Sequence, residues 1–278
     1  MAMKLMYITN RPEIARIAEQ NGVDRIFVDM EYIGKSSRQG GMDTVQNHHT
    51  VDDVRAIRNT VTRAEVMCRI NPMHEATADY CSSKEEIDGV IAAGADILML
   101  PFFKTVDEVR TFIELVDGRA KTFPLLETPE AVDVVDELLD LPGLDEIHIG
   151  LNDLSLGYKK KFMFELLTDG TVEALCRKFK QKGLPYGFGG IAALGKGALP
   201  SEYVIREHYR LGSTCAILSR SFCNTDRITD LDEVERIFHE GMAEIRQLEA
   251  ECQARTDDFE DNRKEVLRRV NLICEGIA

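Results

Sequence analysis

The chain has 278 residues, 44 % of them hydrophobic, and a formal net charge of −14 from 48 acidic against 34 basic side chains. That is enough apolar material for a sizeable core, arranged as one large α/β barrel or two smaller domains. An acidic chain without a basic run is a poor partner for nucleic acid or an anionic membrane surface, and no apolar run reaches the roughly 18 residues of a membrane span.

The first candidate strand, Lys4–Thr9, precedes an amphipathic stretch, Pro12–Gln20, that carries Ile14 and Ile17. The second strand, Arg25–Asp29, closes on two acids, Asp29 and Glu31, followed by Tyr32. A polar segment from Gly34 to Thr50 comes next and holds His48 and His49. It is long for a strand-to-helix connection, and long ordered loops are often functional. Thr50 is placed to cap a helix over Val51–Val61. The third strand, Glu65–Ile70, carries Arg69 and is followed by Asn71. A helix over Lys84–Ala93 ends at Gly94, and the fourth strand, Asp96–Leu100, leads through Phe102 to a helix over Val106–Val116. The fifth strand, Thr122–Leu126, ends in Glu127 before a helix over Pro129–Leu139. The sixth, Glu146–Ile149, ends in Gly150, Leu151, Asn152 and Asp153. A helix over Glu173–Lys182 precedes the seventh strand, Pro185–Phe188, which opens into the glycine-rich stretch Gly187–Glu202 around Lys196. After a helix over Ser201–Leu211 the eighth strand, Thr214–Leu218, ends before Arg220.

Strand–helix alternation implies a parallel sheet, and eight units favour a (β/α)8 TIM barrel over residues 1–228. An open nucleotide-binding sheet would need a glycine-rich loop after an early strand, and none is present. Residues 229–278 read as extra C-terminal helices whose stripe includes Val234, Ile245, Leu248, Val266 and Val270. Such a stripe must bury somewhere, and a homo-oligomer contact is the expected place. The seven cysteines form no C-x-x-C pair and are odd in number, which fits reduced thiols in a cytoplasmic protein. The amino terminus has no long apolar segment, so no signal peptide is expected.

Barrel enzymes gather their chemistry where strands end, at the C-terminal face. Glu127 and Asp153 close consecutive strands and can face each other across that rim. Two bare carboxylates so placed repel, and a hard divalent cation relieves the repulsion; helix capping is the alternative use for Glu127. The glycines near Lys196 could offer N–H groups to a phosphate or distal carboxylate, with Arg220 as partner.

The ordered set "IARIAEQNGVDRIFVDMEY", "MCRINP", "GADILMLPFFKTVDEV", "LLETPEAV" and "IHIGLNDLSLG" resembles the HpcH/HpaI aldolase and citrate lyase family, metal-dependent class II pyruvate aldolases of the phosphoenolpyruvate/pyruvate-binding barrel superfamily. The resemblance implies Glu127 and Asp153 as ligands of Mg²⁺ or Mn²⁺, with Co²⁺ a further candidate. It implies backbone N–H groups around Gly150–Asp153 as the cradle of a pyruvate carboxylate, Arg69 beside the keto oxygen, Glu31 as support for metal ligands, and Asp29 behind it. The substrates implied are a 2-oxo acid and an aldehyde. Other chemistry in the superfamily (acyl-CoA lyase or phosphoenolpyruvate-linked transfer) and a non-catalytic homologue remain alternatives. Where many family members have Glu-His, this chain has Glu31-Tyr32. Proton transfer then falls to His48 or His49, to a metal-bound water, or to different chemistry altogether. Leu151 and Asn152 likewise stand where the family usually has proline and alanine.

Overall fold

In the computed structural model, which describes residues 2–34, 48–255 and 258–276, eight parallel strands close into a barrel in chain order. They are β1 Lys4–Ile8, β2 Arg25–Asp29, β3 Glu65–Arg69, β4 Ile97–Leu100, β5 Lys121–Leu126, β6 Ile147–Ile149, β7 Tyr186–Ile191 and β8 Cys215–Leu218. β8 pairs with β1 to complete the ring. Among the described residues the helices are α1 Pro12–Gln20, α2 Val51–Arg58, α3 Ser83–Ala92, α4 Val106–Val116, α5 Pro129–Asp133, α6 Val135–Leu138, α7 Leu151–Gly157, α8 Glu165–Thr168, α9 Thr171–Lys182, α10 Ser201–Leu211, α11 Leu231–Ala254 and α12 Phe259–Glu275.

Local chemistry sets several of these boundaries. Thr50, Ser82 and Thr105 each accept a hydrogen bond from the backbone three residues on, while Asp53, Glu85 and Glu108 reach back to the capping residue's N–H. These reciprocal caps start α2, α3 and α4 just beyond the barrel mouth, each worth about 1 kcal/mol. The helix expected over Pro129–Leu139 divides at Val134, whose backbone (φ −101°, ψ 10°) leaves the helical region. α7 is a helix that the sequence pattern left as loop, because its seven residues are too few to display a period.

Side chains two apart on a strand share a face, and here one face is the barrel interior. Arg25, Phe27 and Asp29 point inward from β2, as do Glu65, Met67 and Arg69 from β3. The floor is ionic. Arg25, fully buried, donates to Glu146 at 2.9 Å and to Glu65 at 2.9 Å, and Glu65 also pairs with Lys121 and Lys4. Above it lies an apolar layer of Met6, Phe27, Met67, Ile97, Met99, Phe123, Leu125 and Cys215. The second polar layer, at the C-terminal mouth, holds the candidate site.

The C-terminal helices close the outside of the seam. α11 packs on α1 and α10, and α12 on α10 and α8. The Glu249 carboxylate accepts from the Met3 N–H at 2.8 Å, and Arg246 donates to the Met3 carbonyl at 2.8 Å and to Asp24 at 2.9 Å. Val234, Ile245, Leu248, Val266 and Val270 are all buried. The stripe that pointed to a subunit contact is therefore covered by helices of its own chain.

Two histidines in the interior make stability pH-dependent. Burial pushes His148 down to about 4, and burial, then the neighbouring His148, push His208 down to about 3. His208 stacks on Phe188 with ring centroids 3.8 Å apart, and its Nε2 has no hydrogen-bond partner among the described residues. Both stay neutral in the folded chain, whereas the unfolded chain protonates them below about pH 6.5. Their contribution is therefore fully present above that pH and is lost as pH falls toward 4, at about 1.4 kcal/mol per pH unit for each. Urea unfolding should show this acid loss reduced in His208→Gln relative to its own pH 7 value. An identical pH slope in the two proteins would exclude His208 as a source.

Candidate active site

Arg69 enters the mouth from the end of β3. Its Nε and Nη2 donate to the two carboxylate oxygens of Asp29, each at 2.8 Å, and Nε also lies 3.4 Å from Glu31 Oε2. The guanidinium sits 5.5 Å from the centroid of the Phe27 ring. Burial alone would weaken its hold on the proton, but Asp29 and then Glu31 outweigh that and raise its pKa. Arg69 is a permanent, oriented cation, and a planar fork held on two points keeps its direction.

The segment after β2 is fixed by a polar anchor. The Glu31 N–H donates to Asp29 Oδ1 at 3.3 Å. Asn71 Oδ1 accepts from the N–H groups of Tyr32 and Ile33, both at 3.0 Å, while Asn71 donates through N and Nδ2 to Glu86 at 3.2 and 2.8 Å. Glu86 is itself buried, and burial raises its pKa in spite of the bonds from Asn71. The Tyr32 ring lies 5.1 Å from the Tyr80 ring, and burial raises its pKa as well. Tyr32 is thus no base at neutral pH, and its side chain does not line the site cavity.

Glu127 follows β5 and is 4 % exposed. Thr128, not Glu127, caps α5, so the helix-capping use of Glu127 is set aside. Its Oε1 accepts from the Phe102 N–H at 3.0 Å. That N–H is aimed by a left-handed backbone at Phe102 (φ 50°), a strained conformation for an aromatic residue. Burial, then the charges of Glu31 and Asp153, push the Glu127 carboxyl well above its ordinary range. Asp153 belongs to the first turn of α7, and Gly150 precedes that turn. A Cβ at Gly150 would stand 2.7 Å from Glu127 Cβ and Oε2, so only glycine lets β6 pass this close. No side chain caps α7, and its first N–H groups, at Leu151, Asn152 and Asp153, face outward from the helix end.

Among the described residues no three His, Cys, Asp or Glu side chains converge into a protein-only metal cage. Two carboxylates on one cavity, one of them raised by burial and by the charge of its neighbours, instead fit a hard cation completed by water and substrate oxygens. Glu127 and Asp153 are the residues that would hold it.

One cavity of about 360 Å³ joins these groups. Arg69, Glu127, Gly150, Leu151, Asn152, Asp153, His49 and Arg220 all line it. Glu31, buried behind the wall, reaches it through Arg69. His48 is exposed and lies outside the cavity. Lys196 is also exposed and outside, and the nearby Gly195 N–H is bound to Glu202 at 3.0 Å. The sequence reading passed over Thr9, Asn10 and Arg11 at the end of β1, and His148 on β6. The strand-end rule applied to "YITNR" would have found the first three. The inward alternation of Glu146, His148 and Gly150 would have found the last.

The family model described as HpcH/HpaI aldolase/citrate lyase matches residues 4–177. Among solved structures, an HpcH/HpaI aldolase from Desulfitobacterium hafniense DCB-2 superposes with a TM-score of 0.58 at 16 % identity, over 78 % of this chain and 86 % of that one. An HpcH/HpaI aldolase/citrate lyase family protein from Burkholderia cenocepacia J2315 does so with a TM-score of 0.60 at 15 % identity, over 84 % of this chain and 95 % of that one. At such identities the structural likeness is one of fold. No curated protein matches the sequence.

Replacing Arg69 by alanine strips Asp29 of two buried charge-assisted hydrogen bonds. The expected cost is about 3–5 kcal/mol in urea unfolding at neutral pH. Adding Asp29→Ala should recover part of it. A single variant as stable as the parent would show that the pair contributes nothing to folding.

Proposed function

The chain belongs to the HpcH/HpaI aldolase/citrate lyase family, and we propose that it is a divalent-cation-dependent carbon–carbon lyase acting between pyruvate, or a similar 2-oxo acid, and an aldehyde. The observation that carries this reading is the convergence of Arg69, Glu127, Asp153 and the first turn of α7 on one cavity at the barrel mouth.

Cleavage of a 4-hydroxy-2-oxo acid breaks the C3–C4 bond. The electron pair moves onto C3 and the 2-oxo oxygen, giving an enolate, while the 4-hydroxyl gives its proton to water and becomes the aldehyde; a proton returned from water to C3 completes pyruvate. Such a step is fast only if positive charge is already in place where the negative charge grows. Arg69 meets that need with a guanidinium that Asp29 holds in orientation. The N–H groups at the start of α7 suit the substrate carboxylate, since an anion is favoured at a helix N-terminus. A cation held by Glu127 and Asp153 would supply Lewis acidity to the 2-oxo acid's oxygens. Glu31 keeps Arg69 in register from behind. β5 lies across the barrel from β1, and β7 separates β6 from β8, so the wall bearing Thr9, Asn10, Arg11 and Arg220 is left for the aldehyde.

The test needs only pyruvate. Incubated in D₂O with Mg²⁺ or Mn²⁺, the protein should exchange the methyl protons of pyruvate, and Glu127→Ala should abolish the exchange. Absence of exchange with Mg²⁺, Mn²⁺ or Co²⁺ would refute the aldolase reading. Oxalate, a mimic of the enolate, should raise the melting temperature in the presence of Mn²⁺. That rise without any exchange would identify a homologue that binds but does not catalyse.

A further inference from the structure

We propose that His148 is a positioning residue for substrate binding, which holds the first turn of α7 in place through the backbone of β7. Its role toward a 2-oxo acid rests on the aldolase reading; the clamp itself does not. His148 points into the barrel from β6, is 1 % exposed and lines the cavity. Its Nε2 lies 3.0 Å from the Gly189 carbonyl. A carbonyl can only accept, so Nε2 carries a proton and donates. Burial pushes the ring down to about 4, so it is neutral at pH 7 and Nδ1 keeps its lone pair. The Cys215 thiol, pushed up to about 12 by burial, stands 3.8 Å from Nδ1 as its donor. Gly187 makes room for the pair, since a Cβ there would stand 2.5 Å from Cys215 Sγ and 2.7 Å from His148 Nδ1.

The Gly189 carbonyl belongs to a bulge. Gly187 of β7 pairs with Cys215 of β8 and Gly190 with Ile217, so β7 carries one residue more than its partner there. The ladder between β6 and β7 ends at Ile149 and Phe188, where β6 gives way to α7. Gly189 lies just past that end, with a left-handed backbone (φ 52°). His148 thus reaches beyond the last rung and fixes a peptide that the β6–β7 ladder no longer reaches. That peptide bears on α7. A Cβ at Gly189 would stand 2.7 Å from Leu151 Cδ1, and Leu151, 1 % exposed, is the first residue of the helix. On the other side a Cβ at Gly150 would meet Glu127 at 2.7 Å. The start of α7 is therefore gripped between the end of β5 and the bulge of β7, with no slack on either side. Its N–H groups are those that suit the substrate carboxylate, and a small displacement is costly because the anion must meet several donors at once. His148 takes no part in the bond changes; it sets where the donors stand.

The test measures oxalate binding in saturating Mn²⁺, with His148→Phe and His148→Gln compared at neutral pH. Phenylalanine keeps a ring but leaves the Gly189 carbonyl without its donor. Glutamine can replace both bonds, since its Nε2 donates and its Oε1 accepts. Oxalate should bind about tenfold more weakly to the phenylalanine variant, the scale of one buried carbonyl left unpaired, and close to parent strength to the glutamine variant. In pyruvate proton exchange the phenylalanine variant should show a raised KM with the rate at saturation little changed, because Arg69 and Glu127 come from β3 and the end of β5. A side chain that only stabilised the fold would lower the melting temperature and leave KM and oxalate affinity alone. Parent-like oxalate affinity in the phenylalanine variant, glutamine no better than phenylalanine, or a loss confined to the saturated rate would overturn the proposal. If the phenylalanine variant does not fold, Gly189→Ala presses on Leu151 from the same side and should weaken oxalate likewise; unchanged affinity there sinks the proposal too. If the parent neither binds oxalate nor exchanges pyruvate, the aldolase reading fails and hydrogen exchange decides the clamp. The Leu154 N–H, bonded to the Gly150 carbonyl at 3.1 Å, should then exchange faster in His148→Phe and at the parent rate in His148→Gln. Equal rates in all three proteins would exclude the clamp.

Discussion

When eight strands close on themselves, every second side chain of each strand must go inside, whatever its chemistry. This constraint explains why the barrel is polar at both ends and apolar between. At the floor, Arg25 is neutralised by Glu146 and Glu65, so a buried guanidinium is tolerated. Four residues further along the same strand the same face presents Asp29, and along β3 it presents Arg69. The mouth is therefore the floor's pattern repeated one storey higher, with one difference. The floor uses its charges on one another, while at the mouth burial, then the charges of Glu31 and Asp153, push the Glu127 carboxyl above its ordinary range. A site that holds like charges together is poised to gain from a cation.

Much of this was legible in the sequence because strands buried on both faces read as continuous apolar runs. All eight strands lie within a residue or two of their expected places, save that β7 runs on through Gly189 and Gly190 to Ile191. Arg69, Glu127 and Asp153 follow from asking what stands at the end of each strand, and the cavity joins them. What stayed hidden depends on contacts remote in sequence. Nothing in "INP" tells that Asn71 carries two amides of the segment after β2. Nothing in "HHT" tells which of the two histidines turns inward. Lys196 shows the opposite case. Glycines at 195 and 197 suggested N–H groups for an anion, but the Gly195 N–H is bound to Glu202 and Lys196 stands outside the cavity.

Tyr32 and His49 together change how the site can be compared with relatives that have Glu-His after the second strand. The backbone anchor through Asn71 still presents Glu31, but the next side chain leans on Tyr80 and leaves the cavity. An imidazole does reach the cavity, from eighteen positions later in the chain, and it arrives bound to the amide of Asp29. Equivalent atoms delivered by another route need not inherit the same protonation, since the hydrogen bond on one ring nitrogen dictates the state of the other.

The grip of α11 on the seam has a consequence for how the chain comes to be folded. β1 is made before the other strands of the ring, yet its neighbour β8 lies more than 200 residues on, and the side chains that hold Met3 and Asp24, Glu249 and Arg246, come later still. Contacts so distant in sequence slow folding. The edge of β1 stays open until the last strand is made, so a ribosome carrying this chain holds an unpaired strand edge through most of its transit. The grip closes only when α11 is made and can pack on α1 and α10 while holding Met3 and Asp24.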